Sequence, residues 1–143
     1  EIERETGIGL GMQEIWMLRG EAGYRRLEHR ALLGVAERHA GGVVLATGGG
    51  IVLRPDNRSA LRDLAYTVYL HAQPEQLFMR LKNDRSRPLL QNTDMQDKLR
   101  SLYAQRHPLY QAVAHAQVDA ASHSSQVVAE EIVRLYTQSR VSI

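Results

Sequence analysis

At 143 residues, with 43% hydrophobic and 24% charged side chains, the chain has the size and composition of a single domain that buries a core. It contains no cysteine, which excludes disulfides and thiolate-bound metal. No stretch approaches the roughly 18 consecutive apolar residues of a membrane span or resembles an apolar leader. A net charge of +2 gives no electrostatic case for nucleic acid, so a cytoplasmic setting without membrane or nucleic-acid partners is the expectation.

The basic side chains are lopsided: 16 arginines stand against two lysines, Lys82 and Lys98. Arginine carries a planar, permanently charged fork matched to carboxylate and phosphate, which tilts the reading toward small anionic ligands; genome composition is the alternative. The chain opens at Glu1 in a segment that is already amphipathic, so a further piece upstream is expected.

In chain order, helical spacing dominates the first forty or so residues. It is broken at Gly7-Ile8-Gly9-Leu10-Gly11 and again at Gly20, which predicts a short helix over about 12–18 and a longer one over about 21–39. Val43 to Ala46 is a short continuous apolar run, predicted as a strand buried on both faces. Pro55-Asp56-Asn57 reads as a helix start for about 56–64, and Tyr66 to Leu70 as a second buried strand. Pro74 opens a helix to about Leu81, and the polar run Lys82 to Pro88 turns it into a loop. Thr93 or Asp94 caps a helix to about Arg106, Pro108 restarts the chain, Gln117 to Asp119 form a brief strand, and about 124–138 is a terminal helix. Strands alternating with helices imply an α/β fold with a parallel β-sheet covered on both faces, in a single domain over 1–143 without internal repeats. Ligands of such sheets sit beyond the carboxyl ends of the strands.

Three adjacent glycines, Gly48, Gly49 and Gly50, follow the first strand at that edge. Lacking Cβ, they let a ligand approach backbone amides that favour an anion or a hydroxyl; a tight turn requiring positive φ is the bland alternative. On the long helix, Tyr24, Leu27, Ala31, Leu32, Val35 and Ala36 fall on one arc at about 100° per residue, and Arg25 and Glu28 fall inside it. A charge buried there needs a partner, and at i, i+3 these two can meet. Glu28 reads as the structural half of the pair, while Arg25, nearer the arc's edge, is able to turn its fork to a ligand carboxylate. The face of Met95, Leu99, Leu102 and Tyr103 is likewise continued by Arg106, and two inward arginines on different helices suit one anion; pairing with a carboxylate or helix end is the alternative. The segment Arg85-Ser86-Arg87-Pro88-Leu89-Leu90 is a basic, proline-stiffened loop that fits either a mobile lid over about 82–93 or a plain solvated connection.

Several patterns are decoys. Gly7-x-Gly9-x-Gly11 is not G-x-G-x-x-G. The six histidines show no close metal spacing. Asp119 reads as a solvated strand end, and no G-x-S-x-G nucleophile elbow occurs.

Taken together, the stretches Ile2-Glu3-Arg4-Glu5-Thr6-Gly7, Gly20-Glu21-Ala22-Gly23-Tyr24-Arg25-Arg26-Leu27-Glu28, Ala46-Thr47-Gly48-Gly49-Gly50, Arg87-Pro88-Leu89-Leu90 and Arg106-His107-Pro108-Leu109-Tyr110 resemble the shikimate kinase family over nearly the whole chain. The resemblance implies a nucleoside-monophosphate-kinase-like (P-loop kinase) fold and transfer of the ATP γ-phosphate to the 3-hydroxyl of shikimate with Mg²⁺. That is a step of chorismate and aromatic amino-acid biosynthesis, and the resemblance implies a cytoplasmic monomer. It makes Arg25 and Arg106 the clamp on the shikimate carboxylate and Gly48 to Gly50 the platform against its ring and hydroxyls. Arg87 becomes the lid arginine on the phosphates, Arg80 packs on the adenine, the loop around His123 borders the same base, and Glu28 holds Arg25.

The sequence departs from the family in one large respect. The family's Walker A loop, G-x-x-x-x-G-K-[ST], holds the phosphates and Mg²⁺, and neither Lys82 nor Lys98 follows a glycine. The D-x-D strand that follows it is absent too, with Glu1 corresponding to a position just after it. Two rival readings are a non-catalytic kinase-like domain that binds a small acid for regulation, and a related kinase such as a gluconate kinase. The lid arginine argues against the first, and the paired arginines with Thr47-Gly48-Gly49-Gly50 argue against the second. In the family fold the Walker A strand lies between the strands at 43–46 and 66–70, and each backbone group left unpaired in its absence costs about 1–3 kcal/mol. Residues 1–143 alone are therefore expected neither to fold stably nor to phosphorylate shikimate; a cooperative thermal transition near that of full-length relatives would overturn this.

Overall fold

The computed structural model describes residues 12–39, 41–82 and 92–141, which fall into two compact units, Glu1–Ala65 and Tyr66–Ile143. The stretch from Ile2 to Gly7 and the glycines at 7, 9 and 11 lie outside the described residues. Among the described residues, no helix is long and apolar enough to cross a membrane.

In the first unit, helix α1 spans Met12–Arg38 and is interrupted at Gly20, whose φ of 68° and ψ of 178° are not helical. The two predicted helices are thus the two arms of one kinked element. Gly20 occupies a region open almost only to glycine, so the break is written into the sequence by that residue. Along the second arm Tyr24, Leu27, Ala31, Leu32 and Val35 are buried, as the arc predicts, with Ala36 half-buried at its border. A 3₁₀ turn at Gly49–Leu53 follows, burying Ile51 and Val52, and leads into helix α2, Pro55–Leu64. Pro55 suits the first helical position because its missing N–H would have no intrahelical partner there. Helix α2 packs on α1 and on the 3₁₀ turn, with Leu61 and Asn57 on its buried side.

The predicted strand at Val43 to Ala46 is not found. Val43, Val44 and Leu45 are 48%, 98% and 44% exposed, and no strand among the described residues lies beside them. Whether an apolar run becomes a strand depends on a neighbour that accepts its ladder hydrogen bonds, and local sequence does not supply one.

In the second unit, strand β1 (Val68–His71) runs parallel to β2 (Ala116–Asp119), with Val68 opposite Ala116 and His71 opposite Asp119. Between them lie α3 (Pro74–Lys82) and α4 (Asn92–Val113), and α5 (Ser125–Val141) follows β2. Parallel neighbours need such a helical crossover. Strand β1 starts two residues later than predicted and is half-buried, with Leu70 exposed, because β2 is its sole partner among the described residues. Helix α3 starts with Pro74, and the Gln76 side chain reaches back to accept from the Gln73 amide at 2.9 Å, one half of a capping box. Helix α5 is capped by Ser124, whose hydroxyl accepts from the Val127 amide at 3.3 Å. The core of this unit is drawn from Phe78, Val113, Val118 and Val128.

Pro108 does not restart the chain, because α4 continues through it to Val113. Proline removes one intrahelical hydrogen bond and favours a kink. Tyr103, His107 and Tyr110, on both sides of it, pack against Tyr69 and His71 of β1 and hold the two halves of the helix in line.

The kink at Gly20 gives a direct test. A Cβ at Gly20 meets nothing within 4 Å, so Gly20→Ala is expected to cost about 1–3 kcal/mol through backbone strain alone. Urea denaturation reads this as a lower midpoint with an unchanged slope, and an unchanged midpoint would contradict it.

Candidate functional site

Within the first unit, Arg25 and Glu28 are brought together by helical spacing, and Arg25 Nη1 donates to Glu28 Oε1 at 2.9 Å. The Glu28 side chain is 5% exposed and that of Arg25 15%, so each desolvated charge is balanced by the other. The Arg25 guanidinium also lies over the rings of Trp16 and Tyr24, with Cζ 5.3 and 5.4 Å from their centroids, a cation–π arrangement on a partly dry face. Burial raises the Tyr24 phenol above its ordinary pKa; the Glu28 carboxylate adds to this and the Arg25 cation opposes it.

The glycines close around this pair. A Cβ on Gly50 would land on the Arg25 guanidinium, 2.5 Å from Cζ, and one on Gly48 would sit 3.5 Å from Glu28 Oε2. Positive φ is not the reason for either glycine, since in the described residues only Gly20 and Gly42 adopt it. Gly50 is needed because an arginine head occupies the space a side chain would take. Gly48 is extended and exposed just before the 3₁₀ turn, and Gly49 begins it.

Among the described residues, two buried side-chain donors lack a hydrogen-bond partner, and they are the same atom on two different arginines: Nε of Arg25 and Nε of Arg106. Glu21 Oε1 lies 3.8 Å from Arg25 Nε, too far for a hydrogen bond. Buried donors of this kind are rare, and an orphan calls for an acceptor from elsewhere. Arg106 lies half-buried on α4, in line with Met95, Leu99, Leu102 and Tyr103, all half-buried.

In the second unit, Arg80 at the end of α3 donates from Nη2 to the carbonyls of Ala120 and Ala121 at 2.6 and 3.3 Å. The same loop is held from below by Asp119, whose Oδ1 accepts from the amides of Ala121 and Ser122 at 3.0 and 3.2 Å. Those amide hydrogen bonds hold the Asp119 carboxyl below its usual pKa, so it is the cap of the loop and more than a solvated strand end. His123 follows on this loop and lines an open cavity of about 580 Å³ with Asp119, Val128, Glu131 and Arg134. Arg87, like everything at 83–91, lies outside the described residues.

Two groups of residues were not singled out by the sequence. One is a column of rings: Tyr69 hydroxyl on His107 Nδ1 at 3.0 Å, His71 Nε2 on the Tyr103 hydroxyl at 2.8 Å, and Tyr103 stacked on His107 with centroids 4.5 Å apart. The other is the pair His29 and Asn57, 2.6 Å apart between α1 and α2. Both join residues about thirty positions apart, which no local spacing reveals.

A parallel strand pair joined by a helical crossover defines an α/β protein, of the P-loop-kinase-like class to which its structural relatives belong. A family model for shikimate kinase matches residues 1–137. The shikimate kinase of Thiobacillus denitrificans is 46% identical over 124 residues, covering 87% of this chain and 66% of that protein. That of Nitrosomonas europaea is 39% identical over 139 residues, covering 97% and 64%. A shikimate kinase from Acinetobacter baumannii, solved in complex with shikimate, superposes with a TM-score of 0.80 at 35% identity over 99% of this chain and 76% of that one. A Bacteroides thetaiotaomicron shikimate kinase gives 0.78 at 30% identity, over 97% and 79%. The chain belongs to the shikimate kinase family. It spans just under two thirds of the length of the two curated relatives.

The contact between Gly50 and Arg25 predicts a difference between two similar substitutions. Gly50→Ala is expected to push the guanidinium off Glu28 and off the ring of Trp16, the one tryptophan. Gly48→Ala, which meets only an ordinary van der Waals distance, should leave both contacts in place. Tryptophan emission should therefore shift in the first variant and not in the second; equal spectra would contradict the contact.

Proposed function

We propose that this chain carries the acid-binding side of a shikimate kinase, an enzyme that transfers the γ-phosphate of ATP to the 3-hydroxyl of shikimate. The observation that carries the reading is the pair of buried Nε donors on Arg25 and Arg106, each lacking a partner among the described residues. A carboxylate is the ligand group that answers such donors with charge-assisted hydrogen bonds. The complex of the Acinetobacter baumannii relative with shikimate supports the same ligand class.

In this reading Glu28 holds Arg25 by Nη1, so the fork is oriented before the ligand arrives and its ordering does not have to be supplied on binding. Arg106 grips the same carboxylate from α4. The backbone at Gly48 to Gly50, free of side chains, lies against the ring and hydroxyls. Arg80, fastened to the loop at Ala120 and Ala121, and His123 on that loop form the border of the adenine. Transfer forms a bond from the 3-hydroxyl oxygen to the γ-phosphorus and breaks the bond from that phosphorus to the oxygen bridging to ADP; the hydroxyl proton is lost. Arg87, on the lid at about 82–93, balances the negative charge that grows on the departing phosphate oxygens.

Kinases of this family use Mg²⁺ with ATP, and among the described residues no three His, Asp or Glu side chains are grouped to hold a metal ion. The 143 residues also contain no Walker A motif, so the phosphate-holding loop that transfer requires is not among them and the isolated chain is inactive. A regulatory acid-binding domain is the second reading, favoured by that same absence.

Mutation separates the roles in a protein with a phosphate-binding loop. Arg106→Ala removes a charged hydrogen bond of about 1.5–3 kcal/mol and should raise the KM for shikimate roughly ten- to a hundredfold. Arg87→Ala should chiefly lower kcat. An unchanged shikimate KM in Arg106→Ala would sink the clamp, and shikimate binding without any turnover in the unmutated protein would favour the regulatory reading.

A further inference from the structure

Asn57 is fully buried, a polar side chain with 0% exposure in the first turns of α2. Its Nδ2 donates to the Ile51 carbonyl at 3.0 Å, which fixes the orientation of the amide. Oδ1 therefore faces His29 Nδ1 at 2.6 Å, and since Oδ1 only accepts, Nδ1 carries the proton. The other ring nitrogen of His29 lies 3.4 Å from Asp56 Oδ2. Asp56 is itself fixed, by two hydrogen bonds from Arg54 at 3.0 and 2.7 Å and one from the Asn57 amide at 2.9 Å. Arg58 completes the arrangement by donating to the carbonyls of Val52 and Leu53 at 2.7 and 3.3 Å.

Consecutive carbonyls of the 3₁₀ turn, at 51, 52 and 53, are thus each held by a side chain of α2. Of the two side chains involved, Asn57 is the one hydrogen-bonded onward to α1, through His29. His29 directly follows Glu28, the residue that holds Arg25, and the turn held at Ile51 begins at Gly49 and includes Gly50, on which the Arg25 guanidinium rests. A chain of short contacts therefore runs from Gly50 through Ile51, Asn57 and His29 to the helix turn that carries Arg25. If the turn shifts against α1, the guanidinium loses its seat.

We propose that His29 and Asn57 are positioning residues that set the register between the glycine ledge and Arg25, and through it the affinity for the acid substrate. The proposal rests on the reading of Arg25 as a carboxylate ligand. Asn57 and His29 touch no substrate in it. Their effect passes through Arg25, so it must disappear when Arg25 is gone, whereas a general contribution to folding would remain.

The test is a double-mutant cycle read by shikimate binding and steady-state kinetics in the full protein, with Trp16 emission as the local signal. His29→Ala is expected to weaken shikimate binding about tenfold, of the order that a small misplacement of a positioned group produces, with the KM for ATP unchanged. His29→Asn, whose amide N–H takes the place of Nδ1–H, should restore most of the loss. In an Arg25→Ala background, His29→Ala should have no further effect on shikimate binding. If His29→Ala does not fold, His29→Gln, which carries its amide beyond the Nδ1 position, makes the same comparison with His29→Asn. Loss of shikimate affinity in His29→Ala that persists undiminished in the Arg25→Ala background, or no loss at all, overturns the proposal. If Arg25→Ala by itself leaves shikimate affinity intact, it is the carboxylate reading of Arg25 that fails.

Discussion

A charge taken out of water must be answered by another charge, and in the first unit the Arg25 cation is answered by the Glu28 carboxylate. The rest of that unit is arranged to keep this pair where it is. Two aromatic rings cover the guanidinium, a glycine gives up its side chain to make room for it, and a buried asparagine fastens the glycine's turn to the same helix. Removing either charge would leave the other stranded, so the pair contributes to definition of the site more than to net stability. What the pair leaves unsatisfied is as informative as what it satisfies, because the buried Nε of Arg25 has no hydrogen-bond partner among the described residues.

The second unit solves a different problem with different chemistry. There the loop after β2 begins with the Ala120 amide donating to the His71 carbonyl of β1 at 2.9 Å, and further backbone groups of the loop are taken up by Asp119 and by Arg80. An aspartate that accepts from two successive amides builds the turn locally. Arg80 then ties that turn to the end of α3, forty residues earlier in the chain. The loop that carries His123 is therefore a braced element.

How much of this was written in the sequence depends on range. Helical periodicity with Gly20, Pro55 and Pro74 as punctuation was enough for the helices and for the buried arc of α1, because those signals are local. The Arg25–Glu28 pair was legible for the same reason, being one helical turn apart. The three glycines announced a close approach, although the atom that approaches Gly50, an arginine head from a helix twenty-five residues earlier, was not in the pattern. Val43 to Ala46 was misread because a strand is defined by its neighbour, and Pro108 because packing against β1 outweighs one missing hydrogen bond. The ring column and the His29–Asn57 contact have no signature at any spacing, since each depends on which elements the fold brings side by side.

The ring column carries a consequence for the alkaline limit of the second unit. Burial first, and then the phenols of Tyr103 and Tyr110, push the Tyr69 hydroxyl up to about 12. Folding thus favours the protonated phenol, and what that preference contributes is intact below the ordinary tyrosine value of about 10 and fades as pH climbs toward the raised value. A phenolate formed at Tyr69 would put negative charge beside His107 Nδ1 just where the surroundings resist it. The seam between strand and helix is sewn with rings and hydroxyls, and strong base is the reagent that unpicks it.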